Sequence, residues 1–176
     1  MLILTFLILP RTVVAEKIAG QSANVISTYS QNTIASNMLK KKMVITKMLR
    51  KYNSPLLPAT DAFISTCISY ELDCYLLPSI TGLESSFGQY TYPGSNNPFG
   101  WGGGLIMFET WDKAIETVGQ GLRENYMNKG ADTVEKIAPI YAESKTWAPR
   151  VQSFISQFKQ EEEKIDLILG QNQVNL

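Results

Sequence analysis

Leu76-Leu77-Pro78-Ser79-Ile80-Thr81-Gly82-Leu83-Glu84 is an apolar run that ends on a carboxylate, and an aromatic, Gly- and Asn-rich loop running to Gly104 follows it. At helical spacing Leu76, Leu77 and Ile80 share a side with Glu84, so this carboxyl leaves the apolar face of a helix rather than its solvated face. Burial disfavours the ionised form, and the carbonyl end of a helix disfavours negative charge. Both effects raise a glutamate pKa from about 4.3 toward neutrality. Such a group donates a proton at physiological pH, which is the general-acid half of glycoside hydrolysis.

Composition narrows the chemistry. The chain has 176 residues, 44% of them apolar, which suits one domain with an appendage. It contains no histidine. That removes Ser-His-Asp and Cys-His mechanisms and the commonest general base. Two cysteines without histidine make no usual zinc set. Neither a metal nor an organic cofactor is expected. On one continuous helix, a spacing of seven puts Cys67 and Cys74 roughly 10 Å apart, beyond disulfide reach. They read as buried small apolar residues. Lys and Arg total 16, as do Asp and Glu, so no basic face recommends a nucleic-acid partner.

An all-α fold is expected, α+β at most, with room for a short β-hairpin at 105–108. Residues 1–15 read as a signal peptide, because the run Leu2 to Leu9 is too short to span a bilayer and Val13-Val14-Ala15 offers a cleavage site before Glu16. The chain is then exported, with no stable membrane span in the mature protein. Residues 16–52 read as a polar linker, 16–37, followed by a basic amphipathic helix over 37–52 carrying Lys40, Lys41, Lys42, Lys47, Arg50 and Lys51. The domain proper covers 53–160, and 161–176 forms a C-terminal helical extension and tail. Thr60 or Asp61 caps the helix leading to Cys67. The helix leading to Glu84 starts either at an Asp73 cap or nearer Pro78. Further helices are predicted over 110–126, 132–143 and 149–169, with Glu161-Glu162-Glu163 a solvated face.

Ser95-Asn96-Asn97-Pro98-Phe99-Gly100-Trp101-Gly102-Gly103-Gly104 mixes side-chain amides, flat rings and glycines, a composition suited to holding an extended polar polymer against backbone groups. A plain surface loop with a buried ring as anchor is the bland reading. Leu83-Glu84-Ser85-Ser86-Phe87-Gly88, then Asn96-Asn97-Pro98-Phe99-Gly100-Trp101, then Phe108 before a helix with Ala114-Ile115, resembles the lysozyme-like glucosaminidase family of bacterial peptidoglycan hydrolases. The likeness runs from about Lys51 to Phe158.

The resemblance implies a lysozyme-like helical fold and cleavage of the β-1,4-linked wall glycan, with Glu84 as proton donor. It also implies that Asn97, Phe99 and Gly100 line the sugar cleft, to which we add Trp101. Tyr141, in a Tyr141-Ala142 pair followed by Trp147, is similar to a family tyrosine that faces the cleft near the glutamate, which makes it a catalytic candidate as transition-state support; as ordinary core aromatics Tyr141 and Trp147 read equally well. The expected partner is the peptidoglycan glycan strand, bound by a monomer. No Asp or Glu occurs from Ser85 through Phe108, so a second acid would have to come from Glu109, Asp112 or Glu143. A helix N-terminus explains Glu109 and Asp112 without catalysis. A lytic transglycosylase with the same single acid and a non-catalytic wall-glycan-binding module are the alternatives.

Overall fold

The computed structural model describes the backbone of residues 14–173 and the side-chain surroundings of residues 31–169. Helices α1 (Val14–Lys51), α2 (Thr60–Ser69), α3 (Leu76–Ser85), α4 (Trp111–Gly121), α5 (Val134–Tyr141) and α6 (Trp147–Gln173) carry the fold, with no strand among the described residues. The fold is all-α. The chain divides into two units, Met1–Asn37 and Met38–Leu176, and the core and the site described below belong to the second.

The core is one cluster. Val44, Ile45, Met48 and Leu49 of α1, Phe63 of α2, Leu76, Leu77 and Ile80 of α3, Ile115 and Val118 of α4, Ile137 of α5 and Val151, Ile155 and Phe158 of α6 meet in it. Helix α3 is at its centre, with every residue from Leu76 to Gly82 buried. Helix α4 comes close to α2 because Gly119 has no side chain; a Cβ there would lie 2.2 Å from the Thr66 methyl. Helices α4 and α5 begin on side-chain caps, Thr110 accepting from Lys113 N at 3.1 Å and Thr133 from Lys136 N at 3.3 Å.

The start of α3 lies at Leu76, so Pro78 falls in the first turn, where a missing N–H costs nothing. Asp73 is used just ahead of it, Oδ1 accepting from Tyr75 N at 2.9 Å. Four expectations need correction. Residues 16–37 are part of α1 rather than a linker, since Ser, Asn, Gln and Thr are poor but permitted helix residues. The segment 105–108 pairs with no strand; Phe108 N instead donates to Ser95 O at 2.7 Å, closing the glycine loop on itself. Glu161 is no solvated residue: it is buried and contacts Lys47 and Lys164, while Lys40 meets Asp166 at 2.7 Å and Lys41 meets Glu162 at 3.5 Å. Three lysines of the basic stripe of α1 thus face carboxylates of α6, while Lys42 contacts Asp61 of α2.

The fourth correction is chemical. Cys67 and Cys74 form a disulfide, with Cα atoms 4.9 Å apart. A spacing of seven separates them only on one continuous helix, whereas α2 ends at Ser69 and Glu71 takes a left-handed φ of 49° that turns the chain back. Arg123 holds this turn, its Nε donating to Tyr70 O at 2.6 Å. Residues 1–13 of the expected signal segment and 174–176 of the expected tail lie outside the described residues.

The crosslink closes a short loop beside the helix that carries Glu84, and a loop of that size constrains the unfolded chain by about 2.5 kcal/mol. The double variant Cys67→Ser/Cys74→Ser is therefore expected to unfold at a lower urea concentration than the oxidised protein. Equal midpoints would assign the turn's stability to Arg123 and the core alone.

Candidate active site

Glu84 occupies the last turn of α3, and the chain leaves that turn through three successive left-handed residues, Ser86 (φ 51°), Phe87 (φ 59°) and Gly88 (φ 84°). For Ser86 and Phe87 this conformation costs about 1–3 kcal/mol each. Packing offsets it. Phe87 N donates to Thr81 O at 2.9 Å, and the Phe87 ring is buried over Gly82, where a Cβ would come within 2.7 Å of it. Tyr52 stacks on the same ring at 4.4 Å and Phe154 meets it edge-on at 5.3 Å. Ser54 Oγ donates to Phe87 O at 2.7 Å. The turn after Glu84 is therefore fixed from both sides.

Ser85 connects this turn to the glycine loop. Its hydroxyl donates to Pro98 O at 2.8 Å and accepts from Gly88 N at 2.9 Å. Asn97 organises the loop itself: Nδ2 donates to Trp101 O at 2.9 Å and to Ile106 O at 3.2 Å, and Oδ1 accepts from Trp101 N at 3.1 Å. These bonds close the tight turn 97–101. The Asn97 side chain is buried and occupied by the loop. The Phe99 ring is fully buried too, so Phe99 presents its carbonyl, not its ring, toward the site. Tyr141 donates to that carbonyl at 2.7 Å.

Half-buried Trp101 is packed between elements. Its indole faces Gly121 of α4, where a Cβ would approach within 2.8 Å, and its ring centre is 5.7 Å from Tyr141 and 6.1 Å from Tyr126. Tyr126 reaches this cluster from a π-helical turn, Leu122–Tyr126, that follows α4. Tyr141 in turn packs on Trp147 at 4.8 Å. The aromatic group Trp101, Tyr126, Tyr141 and Trp147 is a continuous wall behind Glu84.

Trp147 Nε1 donates to Glu84 Oε1 at 2.6 Å. An indole N–H is a donor only, so Oε1 must accept, and the proton of the acid form is directed to Oε2. Oε2 faces Gly100, where a Cβ would sit 3.5 Å away. Gly100 adopts φ 62° and bears no side chain, which leaves the approach to this oxygen open.

Glu84 as a whole residue presents surface to solvent, while its carboxyl is partly enclosed by its neighbours. Desolvation raises its pKa above the usual glutamate value, outweighing the Trp147 N–H and the Arg150 charge, which lower it. Tyr141 is pushed well above the ordinary tyrosine value, first by burial and then by the charges of Glu84 and Tyr126, so it remains a neutral hydroxyl. The site pairs one carboxyl able to hold a proton with a neutral phenol that cannot lose one.

In front of Glu84 lies an open cleft of about 200 Å³, lined by Glu84, Ser85, Tyr90, Tyr92, Asn97 and Gly100 among others. Larger hollows exist, one of about 480 Å³ lined by Glu109, Asp112 and Glu116. We assign the site to the smaller because it contains the carboxyl held by Trp147. Glu109 and Asp112 face the other hollow, and Asp112 stands in the first turn of α4, where the helix dipole favours it. Glu143 is exposed beyond the end of α5. Glu84 is the only carboxylate that lines the cleft, and no group of three or more His, Cys, Asp or Glu among the described residues could hold a metal ion.

The structure thus gathers Glu84, Tyr141, Asn97, Phe99, Gly100 and Trp101 in one region. Trp147, named with Tyr141 in the sequence, joins them, and the structure adds Arg150, which follows Trp147 by three residues on α6. No protein-family model and no curated protein matches the chain.

Because Trp147 and Arg150 both lower the Glu84 pKa, Trp147→Phe and Arg150→Ala are each expected to move the NMR titration of the Glu84 carboxyl to higher pH. An unmoved titration in both variants would remove these residues from the control of its charge.

Proposed function

We propose that this chain is a peptidoglycan glycosidase, glucosaminidase-like, with Glu84 as its general acid and no cofactor. The observation that carries the reading is the Trp147 to Glu84 hydrogen bond. It leaves one oxygen of a partly desolvated carboxyl to carry a proton into an open, largely uncharged cleft. The resemblance of the Glu84-Ser85-Ser86-Phe87-Gly88 and Asn97-Pro98-Phe99-Gly100 segments to wall hydrolases supports the substrate class. The disulfide supports an oxidising compartment, as an exported protein meets.

In this reading Oε2–H protonates the glycosidic oxygen as the bond from C1 to that oxygen breaks. With no second carboxylate lining the cleft, the positive charge developing at C1 is met by the substrate's own 2-acetamido oxygen, which forms a bond to C1. The Glu84 carboxylate then takes a proton from a water molecule that attacks C1, the bond from C1 to the acetamido oxygen breaks to regenerate the acetamido group, and the acid is restored. Tyr141 and Asn97 act by fixing the loop. Tyr141 bonds the carbonyl that precedes Gly100, and Asn97 bonds the backbone after it. A non-catalytic wall-binding module has no use for an acid oxygen kept open by Trp147 and Gly100.

The same single carboxyl favours a second reading, a lytic transglycosylase. There Glu84 protonates the glycosidic oxygen as its bond to C1 breaks, the 6-hydroxyl of the sugar that carries C1 bonds to that C1, its proton passes to the Glu84 carboxylate, and a 1,6-anhydro product leaves. Mass spectrometry of digested peptidoglycan separates the two, since hydrolysis adds the mass of water and transglycosylation does not.

Glu84→Gln is expected to lower wall digestion by about 10² to 10⁴-fold, the usual contribution of general acid catalysis. Wild-type activity in that variant would refute the assignment. The stability change has a definite sign. Burial places the folded pKa above the unfolded value, so the contribution of this group is fully present below the unfolded pKa and is lost as pH rises through the folded one. Glu84→Gln should accordingly melt no lower than wild type at neutral pH. A clear drop would make Glu84 a structural residue. For export, the chain produced in a bacterium is expected in the wall or medium with a mature end at or near Glu16, as read by N-terminal sequencing; an intact Met1 on a cytoplasmic pool would refute it.

A further inference from the structure

Five aromatic residues occur between Glu84 and Gly102, and the fold divides them by burial. Phe87 and Phe99 are in the core, and Trp101 is enclosed by α4 and two tyrosines. Tyr90 and Tyr92 are the opposite case, 76% and 64% exposed, and both line the cleft that holds Glu84. Exposed rings of this size at a cleft call for an explanation, since no packing is gained by leaving them in water.

We infer that Tyr90 and Tyr92 form a saccharide platform on the lip of the Glu84 cleft, against which the sugar rings of an N-acetylated glycan pack. The inference rests on the glycosidase reading and gives its site a binding surface. Their backbones are held while their rings are free. Tyr90 N donates to Ser85 O at 3.0 Å, and Tyr92 O accepts from Ser95 N at 2.9 Å. The rings are thus presented by a framework already fixed to the end of α3, so little ordering is needed when ligand arrives. Around them the cleft offers Thr91 and the open backbone of Gly100, Gly103 and Gly104, with Glu84 as the one charged side chain. Two ring faces, hydroxyls and glycine backbone with a single acid match the C–H faces and hydroxyl edges of sugar rings. A strongly charged ligand would require matching side-chain charges that this lining lacks. Leu105, exposed on the same lining, extends the apolar part of the lip.

The platform is tested by binding and by kinetics. In the Glu84→Gln chain, which cannot turn substrate over, the dissociation constant for a tetramer of N-acetylglucosamine is measured by calorimetry. Tyr90→Ala and Tyr92→Ala are each expected to raise it by about tenfold, with Trp in either position restoring it. In the otherwise wild-type chain the same Ala variants should raise KM for solubilised peptidoglycan while kcat and the melting temperature stay near wild type. If wild-type protein digests peptidoglycan and both Ala variants keep its KM, the platform is overturned and the glycosidase reading stands. If wild-type protein neither binds the tetramer nor digests peptidoglycan, both fall together.

Discussion

Helix α3 is enclosed through its first seven residues, Leu76 to Gly82, and this enclosure governs where Glu84 can be. A ten-residue helix held that tightly has no freedom to rotate or slide. Rotation would bring Leu83 inward, turn Leu77 and Ile80 out of the core and swing Glu84 away from Trp147, a change costing several kcal/mol in lost burial. The carboxyl consequently emerges at one fixed point. The residues that surround it, Trp147 from α6 and Gly100 from the glycine loop, meet it there.

Around that point the protein uses polar bonds to shape backbone and aromatic contacts to fill space. Asn97 and Ser85 spend their side chains on loop carbonyls and amides, while Trp101, Tyr126, Tyr141 and Trp147 pack behind. The consequence is a division of labour within one loop: buried groups hold its shape, and the exposed Tyr90, Tyr92 and glycines meet whatever enters the cleft. Left-handed backbone at Ser86 and Phe87 is the strained part of this arrangement, and the buried Phe87 ring holds it in place.

Away from the site, the pairing of α1 lysines with α6 carboxylates changes the meaning of both stripes. Such pairs add little stability where they are exposed. They also mean that Lys40, Lys41 and Lys47 are not free charges on α1, because they face Asp166, Glu162 and Glu161. Neither stripe had a visible partner in sequence, since 114 or more residues separate Lys47 from Glu161 and its neighbours.

The sequence by itself determined the helical class, the apolar face of α3 and the position of Glu84 on its last turn, because those follow from local spacing at 3.6 residues per turn. It also exposed the loop whose glycines permit positive φ. Tertiary structure alone decided four things. The turn at Glu71 brings Cys67 to Cys74, which no helical spacing allows. Asn97 bonds the backbone of its own loop. Phe99 and Trp101 turn inward where Tyr90 and Tyr92 turn outward, though all four are aromatic residues in one loop. Trp147 crosses 63 residues of sequence to reach Glu84. Each depends on contacts between segments distant in the chain or on a reversal of chain direction, and periodicity within one segment carries no information about either.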